Sequence, residues 1–189
     1  DLNTLDIWDE RLVALGSELI EARTGVVAQL LPAIAEADQN GAGEDHHAKL
    51  SHYLTISDPD AAGEDPSIQG LSAHTRRGDE TMSAEEAAEG FRSALARLRR
   101  KELDRGMTLV GPHRDDWAFY LGNQPLRGHG SQGEVRSALL ALKLCEIDLF
   151  RIETGHRPLF LLDDFSSELE RERRAFLLRY LADSDIQTF

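Results

Sequence analysis

Leu159-Phe160-Leu161-Leu162 is an apolar run that ends in a pair of carboxylates, Asp163-Asp164. Together with Pro158 it reads as a strand buried on both faces of a parallel sheet. Open α/β sheets bind ligands at the C-terminal tips of such strands, where these two acids fall. There one carboxylate can hold Mg²⁺, which completes its shell with water and phosphate oxygens. The next residue can orient or deprotonate an attacking water. Alone, the segment fits equally well a strand that runs into a solvated turn.

Its neighbours shift that balance. Ser131-Gln132-Gly133-Glu134 lies about thirty residues upstream, at the expected start of a helix. Small residues there let backbone amides approach an anion, and the helix dipole favours one. Ser167-Glu168-Leu169-Glu170 follows the paired acids directly, and the polar turn Gly111-Pro112-His113-Arg114-Asp115-Asp116 comes before everything else. No GxxxxGK[ST] loop occurs, and the sequence contains no Gly-Lys pair. Without that loop the β- and γ-phosphates of a nucleotide have no cradle within this chain. The seven histidines are scattered, and His46-His47 and His52 form no recognised metal spacing. Cys145, in an apolar helical stretch, reads as a packing residue.

The elements that must position these residues divide the chain in two. Leu5, Trp8, Leu12, Leu15, Leu19, Ala22, Val26 and Leu30 recur every three or four residues, as one seam along a helix. A coiled-coil or antiparallel arm fits that length, with an ordinary amphipathic core helix as the alternative. Pro32 is expected to kink or end it. Residues 38–82 read as an acidic loop rich in Gly and Pro, with one short strand over 52–57. Ser83-Ala84-Glu85-Glu86 forms a capping box for a helix whose apolar face is Ala87, Phe91, Ala94, Leu95 and Leu98. The basic cluster Arg97, Arg99, Arg100 and Lys101 near its end reads as a solvated face that suits the helix dipole. From Met107 the texture is α/β. Short strands are expected over 108–110 and 117–121. A Gly-rich loop over 128–133 opens a helix over 135–151, the apolar strand spans 158–162, and another helix covers about 170–182. A further strand begins at Ile186. Both ends read as cuts through a larger protein.

The net charge of −13 is uneven. Residues 1–105 hold 21 acidic and 11 basic side chains, against 13 and 10 in 106–189. Bulk composition therefore supplies no basic footprint for nucleic acid, and any such contact must come from a local patch or another segment. No run is long and apolar enough for a membrane helix. A single cysteine excludes an internal disulfide framework and points to a reducing cytoplasm.

In order, the loop-helix segment at 131–134, the apolar strand with two acids and the Ser-x-Leu-acid segment resemble the signature motif, Walker B strand and D-loop of ABC-type ATPases, SMC and Rad50 relatives included. The turn 111–116 narrows the resemblance to the RecF family. It is specific over about 102–189, where Glu102, Gly106 and Thr108 also fit. It is looser over 1–37 and nearly absent over 38–82. The implied fold class is α/β: the C-terminal part of an ABC-type ATPase head, a P-loop NTPase-like sheet, over 106–189. A helical, coiled-coil-like arm with its acidic loop would occupy 1–105.

The resemblance implies ATP and Mg²⁺ as cofactors. Asp163 would complete the Mg²⁺ shell and Asp164 would be the catalytic carboxylate. Ser131, Gln132 and Gly133 form the signature, of which Ser131 and Gly133 would touch the γ-phosphate of ATP held by a second protomer. Ser167, with Glu168, would lie at that head-to-tail interface. An ATP-dependent homodimer, ATP-dependent binding to gapped or duplex DNA, and recombinase loading with RecO and RecR are implied likewise. This sequence departs from the pattern in Glu134, where Gln is usual, and in Glu170, where Asp is usual. His113 and Arg114 remain open between an ordinary turn and a contact to nucleotide or DNA. The chain alone is not expected to hydrolyse ATP. Two alternatives stand beside this reading. Another SMC/Rad50-like or overcoming-lysogenization-type head would share the signature and Walker B but not the 111–116 turn. In a non-catalytic interaction module, the acidic arm would bind a protein and the paired acids would be structural.

Overall fold

A computed structural model describes residues 2–41, 48–57, 76–77, 80–162, 171–184 and 186–189. The chain forms two compact units, Asp1–Ala28 with Leu50–Ala118, and Gln29–Lys49 with Phe119–Phe189.

The first unit is built on two helices. α1 (Leu2–Gly41) continues through Pro32 and does not end there, so residues 38–41 are helical where a loop was expected. The stripe it buries in this unit is Val13, Gly16, Ser17, Ile20 and Thr24. The expected seam lies largely outside, with Trp8 66%, Leu15 56%, Leu19 42% and Val26 46% exposed. Close approach explains the rotation. A Cβ on Gly16 would stand 2.5 Å from the ring of Phe91, so the bare glycine lets that ring lie directly on the helix backbone. Ser17 and Thr24 bury hydroxyls that donate to Ala14 O and Glu21 O at 3.1 Å each, and Thr24 Oγ1 also accepts from Met82 N.

α2 (Ala84–Arg105) starts at the expected capping box and ends at Gly106, whose φ of 64° suits a left-handed cap. Its apolar face, Ala87, Phe91, Ala94, Leu95 and Leu98, is fully inside. These side chains join Val13, Ile20, Leu54, Ile56, Met82, Leu109 and Val110 in one cluster. Burying a ring such as that of Phe91 contributes roughly 1.5–3 kcal/mol. Part of the basic cluster is tied to α1: Arg99 bridges Asp6 and Asp9 at 2.6 Å each.

β1 (Ala48–Tyr53) lies between β2 (Arg76–Arg77), with which it pairs antiparallel, and β3 (Asp116–Leu121). The expected strand over 52–57 is thus shifted, and Leu54 to Ser57 form a turn closed by Ser57 N donating to Leu54 O at 2.9 Å. Residues 108–110 form no strand. Their bonding is irregular, and the Glu102 carboxylate accepts the N–H of buried Leu109 at 2.7 Å.

In the second unit β3 turns back at Gly122, φ 60°, onto β4 (Gln124–Pro125). A short helical turn, α3 (Leu126–His129), precedes α4 (Gln132–Thr154), which Gly155 caps at φ 68°. Then come β5 (Leu159–Phe160), α5 (Arg171–Asp183) and β6 (Gln187–Thr188). β5 and β6 are parallel, as the α/β reading requires. The ladder continues through Phe189 N to Phe160 O at 3.0 Å and Leu162 N to Phe189 O at 2.8 Å. Burial on both faces of β5 is not observed: Leu159 is 54% and Leu161 69% exposed. The Tyr180 hydroxyl donates to Asp148 and ties α5 to α4. Cys145 is buried, as expected of a packing residue.

Candidate functional site

The N-terminus of α4 is set by local sequence. Ser131 is the N-cap in extended backbone, its Oγ accepting from Glu134 N at 3.3 Å. In return the Glu134 carboxylate accepts from Ser131 N at 2.7 Å. The approach is tight. Gly128 has a φ of 83°, and a Cβ on Gly130 would meet Leu126 at 2.6 Å. Ser131 and Gln132 are exposed and Gly133 half-buried, so the segment read as an anion contact faces outward. The positive end of the helix already carries a carboxylate supplied in cis. An incoming anion must share that position with Glu134 or displace it. The charge of Glu134 was evident in the sequence, and its closure over the Ser131 amide is the structural addition.

Asp163, Asp164, Ser167, Glu168 and Glu170 lie outside the described residues. What is described is their approach, a strand in a parallel pair whose last bond is made by Leu162. The parallel direction is the one that carries a following residue to the ligand-binding edge of such a sheet. A surface cavity of about 300 Å³, lined by Arg157, Pro158, Leu159, Ser184, Ile186 and Gln187, sits at the beginning of β5. Among the described residues no group of three or more His, Cys, Asp or Glu is arranged to hold a metal ion.

The turn 111–116 is a second polar centre. Thr55 donates to Asp115 Oδ1 twice, from its N–H at 2.8 Å and its hydroxyl at 2.7 Å. That hydroxyl accepts from Gly111 N at 2.8 Å. Gly111 O accepts from Arg114 N at 2.8 Å and Asp115 N at 3.1 Å, closing the turn. Arg23 of α1 donates to Pro112 O at 2.6 Å. Gly111 has a φ of 124°, and a Cβ there would stand 2.6 Å from Phe91. Burial pushes the Asp115 carboxyl above its ordinary range, opposed by the Thr55 bonds and by Arg23 and His113. Burial raises Glu102 likewise, opposed first by the Leu109 N–H. His113 and Arg114 are exposed. The sequence reading singled out the turn and missed Thr55, because a partner 60 residues away leaves no local signal.

No protein-family model matches the chain. It is 44% identical over 183 residues to the DNA replication and repair protein RecF of Leifsonia xyli subsp. xyli, covering 96% of this chain and 45% of that protein. The protein of the same description from Clavibacter sepedonicus is 44% identical over 178 residues, 93% of this chain and 43% of the relative. That from Rhodococcus erythropolis is 37% identical over 186 residues, 97% and 43%. The chain thus spans less than half the length of these relatives. Among solved structures, the recombination mediator protein RecF-ATPrS in the RecFOR pathway superposes with a TM-score of 0.76 at 26% identity, over 100% of this chain and 44% of that one. The RecF-ATP structure gives 0.74 at 28%, over 99% and 45%. These neighbours carry the α/β, ABC-type ATPase fold to which the present chain corresponds.

Proposed function

Because the chain belongs to the RecF family, whose longer members it matches over their C-terminal portion, we propose that it supplies one half of a composite ATP site in a DNA-repair ATPase. The observation that carries this reading is the outward-facing Ser131–Gly133 cap of α4, in a unit whose parallel strand β5 leads toward Asp163-Asp164. Ser131 and Gly133 meet the γ-phosphate of ATP bound to a partner protomer, with Gln132 between them in the signature. Asp163 holds Mg²⁺, whose charge would stabilise the phosphate oxygens. Asp164 orients the attacking water and accepts its proton. Ser167 and Glu168 lie at the interface between the two heads.

Two features bear on the fit. The first-turn N–H groups of a 23-residue helix suit an anion, whereas Glu134 opposes one. The chain lacks a phosphate loop, so turnover requires that loop from elsewhere in the protein, and the 189-residue chain alone is inactive. Nucleotide-driven homodimerisation, DNA binding and action with RecO and RecR complete the proposal, and they rest on kinship with the family.

Sedimentation of the full-length protein with and without ATP tests it. The parent is expected to dimerise with ATP, and both Asp163→Ala and Ser131→Arg to stay monomeric. If both variants dimerise as the parent does, the half-site reading fails. A parent that dimerises but ignores DNA favours a different ABC-type head.

A further inference from the structure

The half-site proposed above makes no use of the turn 111–116, yet three separated segments fasten it: Thr55 clamps Asp115 and Gly111, Arg23 of α1 holds Pro112 O, and Phe91 of α2 packs under Gly111. Holding it so is costly. Asp115 is half-buried, and its buried Oδ2 lacks a partner among the described residues, while Gly111 takes a positive φ that only glycine adopts freely. Gly111 and Pro112 are buried, and the large exposed side chains of the turn are His113 and Arg114, the latter donating from one terminal nitrogen to Met107 Sδ at 3.1 Å and keeping its remaining N–H groups for a ligand. Both of its acids accept backbone N–H groups. Asp115 accepts from Thr55, and Asp116 accepts from Trp117 N at 2.8 Å. Exposed Arg23 reaches the same turn, so cations edge it in a chain of net charge −13. A loop fastened from several sides to display polar groups is how binding residues are commonly mounted.

We propose that this turn is a phosphate-binding site, with the Arg114 guanidinium as its principal ligand and His113 and Arg23 as further donors. A planar guanidinium fork takes two oxygens of a phosphate at once. Donors arriving both from α1 and from the turn match the several oxygens of a tetrahedral anion better than a flat carboxylate. The phosphate comes either from a nucleic-acid backbone or from a nucleotide. The duplex arm of the test rests on the DNA association proposed above.

The test uses the full-length protein with Arg114→Gln, His113→Gln and the charge-keeping Arg114→Lys. Binding of a fluorescent duplex is followed against salt at saturating ATP, and binding of a fluorescent ATP analogue is followed separately without DNA. If the ligand is a DNA phosphate, Arg114→Gln weakens duplex binding and lowers the slope of log K against log salt by about 0.9. Arg114→Lys then keeps the slope, and ATP affinity is unchanged. A loss of ATP affinity with an unaltered duplex slope assigns the phosphate to a nucleotide. Unchanged binding of both probes in Arg114→Gln and His113→Gln overturns the proposal. Should a variant melt early, ¹⁵N resonances of the Arg114 guanidinium in the unmutated protein decide, since no shift with either ligand overturns it too. Failure of ATP-driven dimerisation would sink the half-site and leave the duplex slope as an independent reading.

Discussion

Asp115 shows how a single group can set a pH response. Burial raises its carboxyl, so the native state keeps the proton to higher pH than the unfolded chain does. Between the ordinary aspartate value, about 3.9, and the raised native one, the native state binds more protons. Stability therefore falls as pH rises through that window. Above it both states are ionised and the full cost of the buried charge is present. Many other carboxylates titrate nearby, and exposed Glu10, lowered by its bond with Arg92, acts in the opposite sense. The comparison that isolates Asp115 is Asp115→Asn, which can still accept from Thr55. Urea unfolding from pH 3.5 to 7 is expected to show a shallower decline in Asp115→Asn than in the parent. Asp115→Ala leaves the two Thr55 donors unmet, which costs about 1–3 kcal/mol, and it loses the same pH response. A variant slope equal to the parent's would refute the burial argument.

At the scale of elements, capping is where the sequence was most legible. Ser83-Glu86 and Ser131-Glu134 each close within three residues, so their geometry follows from local spacing, and both boxes form. The apolar face of α2 was readable for the same reason. The buried stripe of α1 was not, because Gly16, Ser17 and Thr24 carry no apolar signal, and Gly16 is matched to Phe91 and Thr24 to Met82, both far away in sequence. The Thr55–Asp115 clamp was hidden by the same separation. For β5, four apolar residues foretold a strand and its parallel pairing, but composition cannot say which face is covered.

The cap of α4 also yields a prediction. Glu134→Gln keeps a capping-box residue while removing the negative charge over Ser131 N. On the proposed half-site it is expected to lower the ATP concentration for half-maximal dimerisation by roughly threefold to tenfold, as one partly screened charge near a phosphate warrants. An unchanged or higher midpoint in sedimentation would remove Glu134 as a competitor of the phosphate.

At the scale of the whole molecule, charge and exposed apolar surface pull in opposite directions. A net charge of −13 keeps copies apart at low salt. Leu159 in β5 and Leu161 just beyond its end, two residues apart in extended chain, are both exposed beside a short parallel sheet. The 189-residue chain by itself is expected to self-associate more as added salt screens its charge. Leu161→Lys is expected to suppress that association in sedimentation velocity. Equal association of the two proteins at high salt would show that this face is not the contact.

One bond missing from α1 has a mechanical consequence. Pro32 has no N–H, so the helical ladder lacks the rung that would end on the carbonyl of Ala28. Ala28 is also the last residue of α1 in the first unit, and Gln29 the first in the second. The helix is thus thinned by one rung at the residue where it passes from one unit to the next. At that rung the helix backbone is held by one bond fewer than elsewhere, and Pro32→Ala would restore the donor that closes it.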